Sequence, residues 1–160
     1  MPILICFLFI ILSIPANAMQ REVSLEQLVE KSDVIAVVDV IATKSVGTLP
    51  SGAQVVANLV KVDQPLKGGV AVGENLKLKT RAMMEDNATF QNGTKVLLFL
   101  RRVDNYFEVN FGLCGYWPID ENGKITGYGS GKTIKDVEAV ISAPAPSENK
   151  PSTKSRAVSL

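Results

Sequence analysis

The chain contains no histidine among its 160 residues. That absence removes the Ser-His-Asp and Cys-His nucleophilic machineries and the commonest zinc ligand. Cysteine is nearly absent too, with only Cys6 and Cys114. A transition-metal site would need carboxylates alone, so the sequence implies no metal and no cofactor. Neither sign of charge is in excess: Lys and Arg total 17, Asp and Glu 16. A nucleic-acid binder usually carries a basic surplus, so nucleic acid is not an expected partner. No apolar run reaches the roughly 20 residues that a bilayer-spanning helix needs.

What is present begins with Met1–Ala18, which has the form of an export signal. Ile3 to Ile14 is almost wholly apolar, Pro15 breaks the run, and Ala16-Asn17-Ala18 offers the small-x-small pattern of a cleavage site. No Lys or Arg precedes the apolar core, and translation from Met19 would give a chain without the signal. Export places the protein in the periplasm or outside the cell. Cleavage would remove Cys6 and leave Cys114 as the only thiol, so no internal disulfide forms. A buried, inert thiol is the expectation, with an intermolecular bridge as the alternative.

The remaining chain, about 140 residues, is one domain's worth. Its tail, residues 142–160, is rich in Pro, Ser and Lys and lacks apolar periodicity. Such a segment cannot bury enough surface to offset the entropy of ordering and reads as disordered. The domain is therefore 19–141. Ser24 and Gln27 have capping-box spacing, and Leu25, Leu28 and Val29 share one face of a short helix. Val34–Ala42 reads as a strand apolar on both faces. Gln54–Val62 is a second strand, closed by Pro65 and Gly68-Gly69. Asn75–Thr80 alternates, with Leu76 and Leu78 on one face and Lys77 and Lys79 on the wet one. Lys95–Arg102 is again apolar on both sides.

Asp104-Asn105 and Asn122-Gly123 mark hairpins, the latter with type I′ chemistry. A last helix starts at Thr133, with Asp136 as its capping partner and Ile134, Val137, Val140 and Ile141 as its apolar stripe. The pattern predicts a mainly β fold: a small antiparallel five- to six-stranded barrel. Closure removes the sticky edges, and a short N-terminal and a short C-terminal helix cover the strands that are apolar on both faces.

SLEQLVEKSDVIAVVDV, VDQPLKGG, GTKVLLFLRR and FGLCGYWPID lie in this order between Ser24 and Gly127. This arrangement resembles the OB-type barrel of the tissue-inhibitor-of-metalloproteinases and netrin-module kind, as found in small exported bacterial proteins. The resemblance implies an OB-like barrel. The animal inhibitors chelate a protease's zinc through an N-terminal Cys, whereas the mature chain here would begin Met19-Gln20, so the resemblance carries the fold and not that mechanism.

Asp63, Glu85, Asp86, Asp120 and Glu121 lie in or beside turns without the spacing of a calcium loop. Asp120 and Glu121 are adjacent, point to opposite faces of a strand, and would not flank one bond. TGYGSGKT, residues 126–133, imitates a phosphate loop but has Thr126 where the first Gly belongs, and only one short helix follows. It reads as a flexible link into a capped helix, with Lys132 and the helix N-terminus as a weak anion site in second place. Asn87-Ala88-Thr89 and Asn92-Gly93-Thr94 fit the glycosylation pattern and mark exposed turns.

Aromatic residues cluster between Tyr106 and Tyr128. Phe107, Val109, Phe111 and Leu113 are expected in the core. Tyr106, Glu108 and Asn110, with Tyr116 and Trp117 on the next hairpin, form the candidate ligand face. The function that follows is an exported, non-enzymatic module binding an unidentified protein or polymer in the envelope or outside the cell. The alternatives are an enzyme working through carboxylates or Cys114, and an OB-type binder of oligosaccharide or single-stranded nucleic acid.

Overall fold

In the computed structural model, which describes residues 23–82 and 87–144, Ser24 and Gln27 form the expected capping box. Ser24 Oγ accepts from the Gln27 amide at 3.2 Å, and Gln27 Oε1 accepts from the Ser24 amide at 3.2 Å. These bonds satisfy two donors that a helix start otherwise leaves unpaired. The helix, α1, spans Leu25–Lys31 and buries Leu28 and Val29. Its end is fixed from outside: Lys67 Nζ donates to the carbonyls of Val29 and Ser32, each at 2.7 Å. A cation suits this end of a helix, where carbonyls lack partners.

Six strands follow: β1 Val34–Thr48, β2 Gln54–Lys67, β3 Asn75–Ala82, β4 Lys95–Val103, β5 Tyr106–Val109 and β6 Tyr116–Ile119. A second helix, α2, spans Ile134–Ser142. The strand order is β1-β2-β3-β5-β4, and β4 pairs back to β1, so five strands close into a barrel. Pairing is antiparallel except where Leu78 of β3 meets Phe107 of β5 in parallel. β6 lies outside this ring, against β4. The protein is thus a mainly β, OB-like barrel with two helices, as the hydrophobic pattern predicts.

The alternation of β1 and β4 explains how both faces can be apolar. Val34, Ala36, Val38 and Val40 of β1 face inward with Val96, Leu98 and Leu100 of β4 and Val60, Val62, Leu76 and Leu78 of the other wall. Val70, Ala88 and Phe90 add to this interior cluster from loops. Ile35, Val37, Leu97 and Phe99 face outward into a second cluster with Leu28 and Val29 of α1 and Val137 of α2. The helices therefore cover the doubly apolar strands, and Trp117 of β6 and Ile125 share the task.

Several expectations need correction. β1 runs well beyond Ala42, because pairing continues through mostly exposed residues from Thr43↔Asn58 to Thr48↔Gln54, and β2 runs beyond Val62 to Lys67, pairing from Val37↔Gln64 to Ile35↔Lys67. Exposed side chains hide this extension from a hydrophobic pattern. β2 also passes through Pro65 and does not end there: the register slips between Ile35↔Lys67 and Ala36↔Pro65. Such a slip accommodates a residue without an N–H.

Phe111 and Leu113 are not core residues. β5 ends at Val109, Phe111 adopts φ 53°, and Gly112–Gly115 forms a 3-10 turn, which destroys the two-residue period. Phe111 is 44% exposed and Leu113 37%. Cys114 lies on this turn, not on a strand, and is free and half-buried against the outer cluster. The turn at Asn122-Gly123 is not type I′, since only Gly123 has positive φ. The Gly123 amide donates to Asp120 O and the Asp120 amide to Lys124 O, which makes a three-residue loop with Gly at the left-handed position.

The proposed signal, Cys6, Glu85, Asp86 and the tail beyond Pro144 lie outside the described residues. The helix preceding that tail runs through Ser142, where the sequence pattern places the domain's end at residue 141.

Candidate ligand-binding surface

The pleat of β3 sorts its side chains cleanly. Leu76 and Leu78 are buried inside the barrel, while Lys77, Lys79 and Arg81 point outward and are exposed. The register then builds rows across three strands. Ala42, Leu59 and Lys77 are cross-strand neighbours, as are Lys44, Ala57 and Lys79, and Val55 stands opposite Arg81. Residues directly opposite one another share a face. The result is an open groove of about 460 Å³ with an apolar floor of Ala42, Ala57 and Leu59. Lys44, Lys77 and Lys79 edge it, and the β4–β5 turn brings Asn105 and Tyr106 to one side.

Lys79 Nζ sits 4.1 Å from the centroid of the Tyr106 ring. That distance is well inside the range of a cation–π contact and orders both groups. Among the described residues no carboxylate pairs with the other cations of this face. Among the described residues the ion pairs are Lys31–Glu30, Lys95 with Asp39 and Asp63, and Arg101–Glu108. None involves Lys44, Lys77, Lys79 or Arg81. A chain that is almost neutral overall thus concentrates positive charge without carboxylate partners among the described residues on one face of its barrel.

The five residues of the sequence-derived ligand face do not form one surface. Tyr106 joins the groove just described. Glu108 Oε2 accepts from Arg101 Nη2 at 2.6 Å. Asn110 Nδ2 donates to Lys31 O at 2.8 Å and to Ser32 Oγ at 3.2 Å, which ties the turn after β5 to the end of α1. Tyr116 packs edge-on against Phe90 at 5.1 Å, and its hydroxyl donates to Thr89 O at 3.0 Å. Burial pushes the Tyr116 phenol above its ordinary value of 10.0. Trp117 is 3% exposed and lies in the outer core. Of the five, therefore, only Tyr106 lines the groove. Sequence reading missed Lys44, Ala57 and Leu59 because they meet Lys77 and Lys79 only through register. The Lys-x-Lys alternation of β3 was the available signal.

Asn58 is the one polar side chain in the barrel wall whose surroundings are unusual. It is 2% exposed, and its Nδ2 donates to Thr80 Oγ1 at 2.9 Å. Its Oδ1 has no hydrogen-bond partner among the described residues. Thr43 stands opposite it on β1.

The carboxylates do structural work. Asp63 and Asp39 both face Lys95, which raises the lysine above its ordinary value of 10.5, chiefly through the hydrogen bond with Asp63. Asp120 Oδ1 accepts from the amides of Asn122 at 2.9 Å and Lys124 at 2.8 Å and so builds its turn. Residues 126–133 do not cradle a phosphate. Gly127–Gly129 forms a 3-10 turn, and the Lys132 amide donates to Gly129 O at 2.9 Å. The start of α2 is occupied by its own capping box: Asp136 Oδ2 accepts from the Thr133 amide at 2.7 Å and from its hydroxyl at 2.8 Å. A carboxylate already stands where an anion would bind. Among the described residues no three metal-ligating side chains gather, and no helix is long and apolar enough to cross a membrane.

Fold and surface together define the class: a closed, OB-like five-stranded β-barrel with one added strand, two helices outside and a cationic groove across β1–β3. The chain matches no known protein-family model and no curated protein.

Proposed function

We propose that the protein is an exported, non-enzymatic binding module whose ligand lies across the outer face of β1, β2 and β3. The observation that carries this reading is the groove of Ala42, Ala57 and Leu59 edged by lysines with no carboxylate partner among the described residues. Backbone pairing fixes the spacing at which these lysines leave the sheet, so the array of charges exists before a ligand arrives. The signal-like Met1–Ala18 supports export to the periplasm or beyond. The resemblance to the tissue-inhibitor-of-metalloproteinases and netrin-module kind supports a role in contact rather than catalysis. A mature start at Met19-Gln20 gives no Cys with which to chelate a protease's zinc.

Lysine acetylation footprinting tests the reading. The purified protein is mixed with an envelope extract of the producing organism, and the modification of each lysine is followed by mass spectrometry. Lys44, Lys77 and Lys79 should lose reactivity, while the exposed Lys124 and Lys135 should not. Equal reactivity at all five positions, with and without extract, would overturn it. The same spectra report whether the mature chain begins at Met19.

A further inference from the structure

We infer that the groove takes an anionic polysaccharide, a glycan bearing carboxylates or sulfates. The inference rests on the binding surface proposed above and adds its ligand class. The charges form an array, not a point. Lys77, Lys79 and Arg81 alternate along one strand, and Lys44 stands two strands away in the row of Lys79. Same-face residues on a strand are about 6.8 Å apart, and neighbouring strands about 4.8 Å. An extended ligand with repeated negative charge matches that grid better than a small ion does.

The floor narrows the choice among polyanions. Ala57 and Leu59 are half-buried and Ala42 lies beside them, so the strip between the lysines is apolar and shallow. A sugar ring can lay a C–H face on such a strip while its charged groups reach the ammonium groups. Asn105 at the rim offers an amide to hydroxyls. Single-stranded nucleic acid needs open aromatic platforms for its bases. Among the described residues Tyr106 is the groove's only aromatic ring, and Lys79 already occupies one of its faces at 4.1 Å. An anionic membrane would be met by a continuous protruding apolar face, whereas the groove's own apolar residues lie between the lysines and the exposed Ile41 and Val46 stand singly at the bulges of β1. A peptide added as a strand would pair with the edge of β1 beyond Val40 or with that of β3, in the plane of the sheet, whereas the groove lies across the sheet's face over β2, which is bonded on both sides.

Titration calorimetry of the full chain with polygalacturonate and with heparin, each across a series of salt concentrations, tests the inference. Neutral dextran, oligothymidylate and phosphatidylglycerol vesicles are the comparisons. At least one of the two anionic glycans should bind and dextran should not. The double variant Lys77→Gln/Lys79→Gln should bind about tenfold or more weakly and lower the salt slope by about two. Lys124→Gln, on a distant turn, should leave both quantities unchanged. Circular dichroism shows that the variants remain folded. The inference is overturned if neither glycan binds at low salt, if the double variant binds as tightly as the parent, or if oligothymidylate or the vesicles bind more tightly than both glycans. In each of these cases protection of Lys44, Lys77 and Lys79 by envelope extract would leave the surface standing with another ligand. Without that protection, both readings fall.

Discussion

Trp117 stands edge-on against Phe99, with ring centroids 4.8 Å apart and planes at 61°, and its indole nitrogen donates to Cys114 O at 2.7 Å. The contact joins β6 to the outer face of β4 and gives a buried indole the hydrogen bond it requires. Gly129 completes the fit, since a Cβ there would overlap the Trp117 ring. Trp117→Ala should cost about 3–5 kcal/mol, the usual range for emptying a large aromatic site. Gly129→Ala should also destabilise, and less so in a Trp117→Phe background, because the two positions share one space. Urea midpoints of the two single variants and the double variant measure this coupling. Additive effects would show that Gly129 does not make room for the ring.

The outer cluster also decides the importance of α2. Val137 is fully buried there, whereas Lys135 is exposed. Burying a side chain of this size contributes about 1.5–3 kcal/mol, against a usual total of about 5–15 kcal/mol. Val137→Asp would place an unpaired carboxylate in an apolar contact, so the variant should be unfolded or insoluble. Val137→Ala should fold with a lowered midpoint, and Lys135→Asp should be nearly silent. Equal midpoints for Val137→Ala and Lys135→Asp would mean that α2 is not part of the core.

These elements were legible for a physical reason. Burial writes a period into a sequence: two for Leu76 and Leu78, near 3.6 for Ile134, Val137 and Ile141, and none for the doubly buried Val34–Val38. Capping boxes were legible because their partners lie three residues apart. The candidate site was not. Lys44, Ala57 and Lys79 become neighbours only through strand register, which depends on bulges in β1 that no local pattern marks. Phe111 misled for the opposite reason. Its alternation with Phe107 and Val109 is regular, but one residue at φ 53° ends the strand and turns the ring toward water.

Asn58 offers a stability gain with a defined mechanism. Its buried Oδ1 has lost water and gained no partner among the described residues, which costs free energy. Asn58→Leu keeps the branching at Cγ and removes the unmatched acceptor. The Thr80 hydroxyl loses its donor but lies in a half-exposed position, where water can replace it. The variant should therefore be more stable by about 1 kcal/mol, the scale of one buried polar group. The urea midpoint should rise with an unchanged slope. A fall would mean that Oδ1 is satisfied in solution.

The two helix starts link stability to pH. Hydrogen bonds from the Thr133 hydroxyl and amide hold the Asp136 carboxyl below its ordinary value of 3.8, with a smaller contribution from the charge of Lys132. Glu26, in the first turn of α1, is lowered below 4.5 by its own backbone amide and by Ser24, and again slightly by Lys132. A carboxyl depressed in the folded state binds its proton more tightly once unfolded. Its stabilising contribution is therefore complete above the unfolded values, near 3.8 and 4.5, and is lost as pH falls through the folded ones. Thr133→Ala removes one of the donors to Asp136. It should raise the Asp136 titration midpoint toward 3.8 in a carboxyl-detected NMR series and lower the thermal midpoint at pH 7. The difference in thermal midpoint between parent and Thr133→Ala should shrink as pH falls below about 3.8 and on through the parent's lower folded value, beneath which both proteins carry a protonated Asp136. If that difference persists unchanged in strong acid, the cap acts through the Thr133 hydroxyl on the Asp136 amide alone, and the carboxylate adds nothing to it.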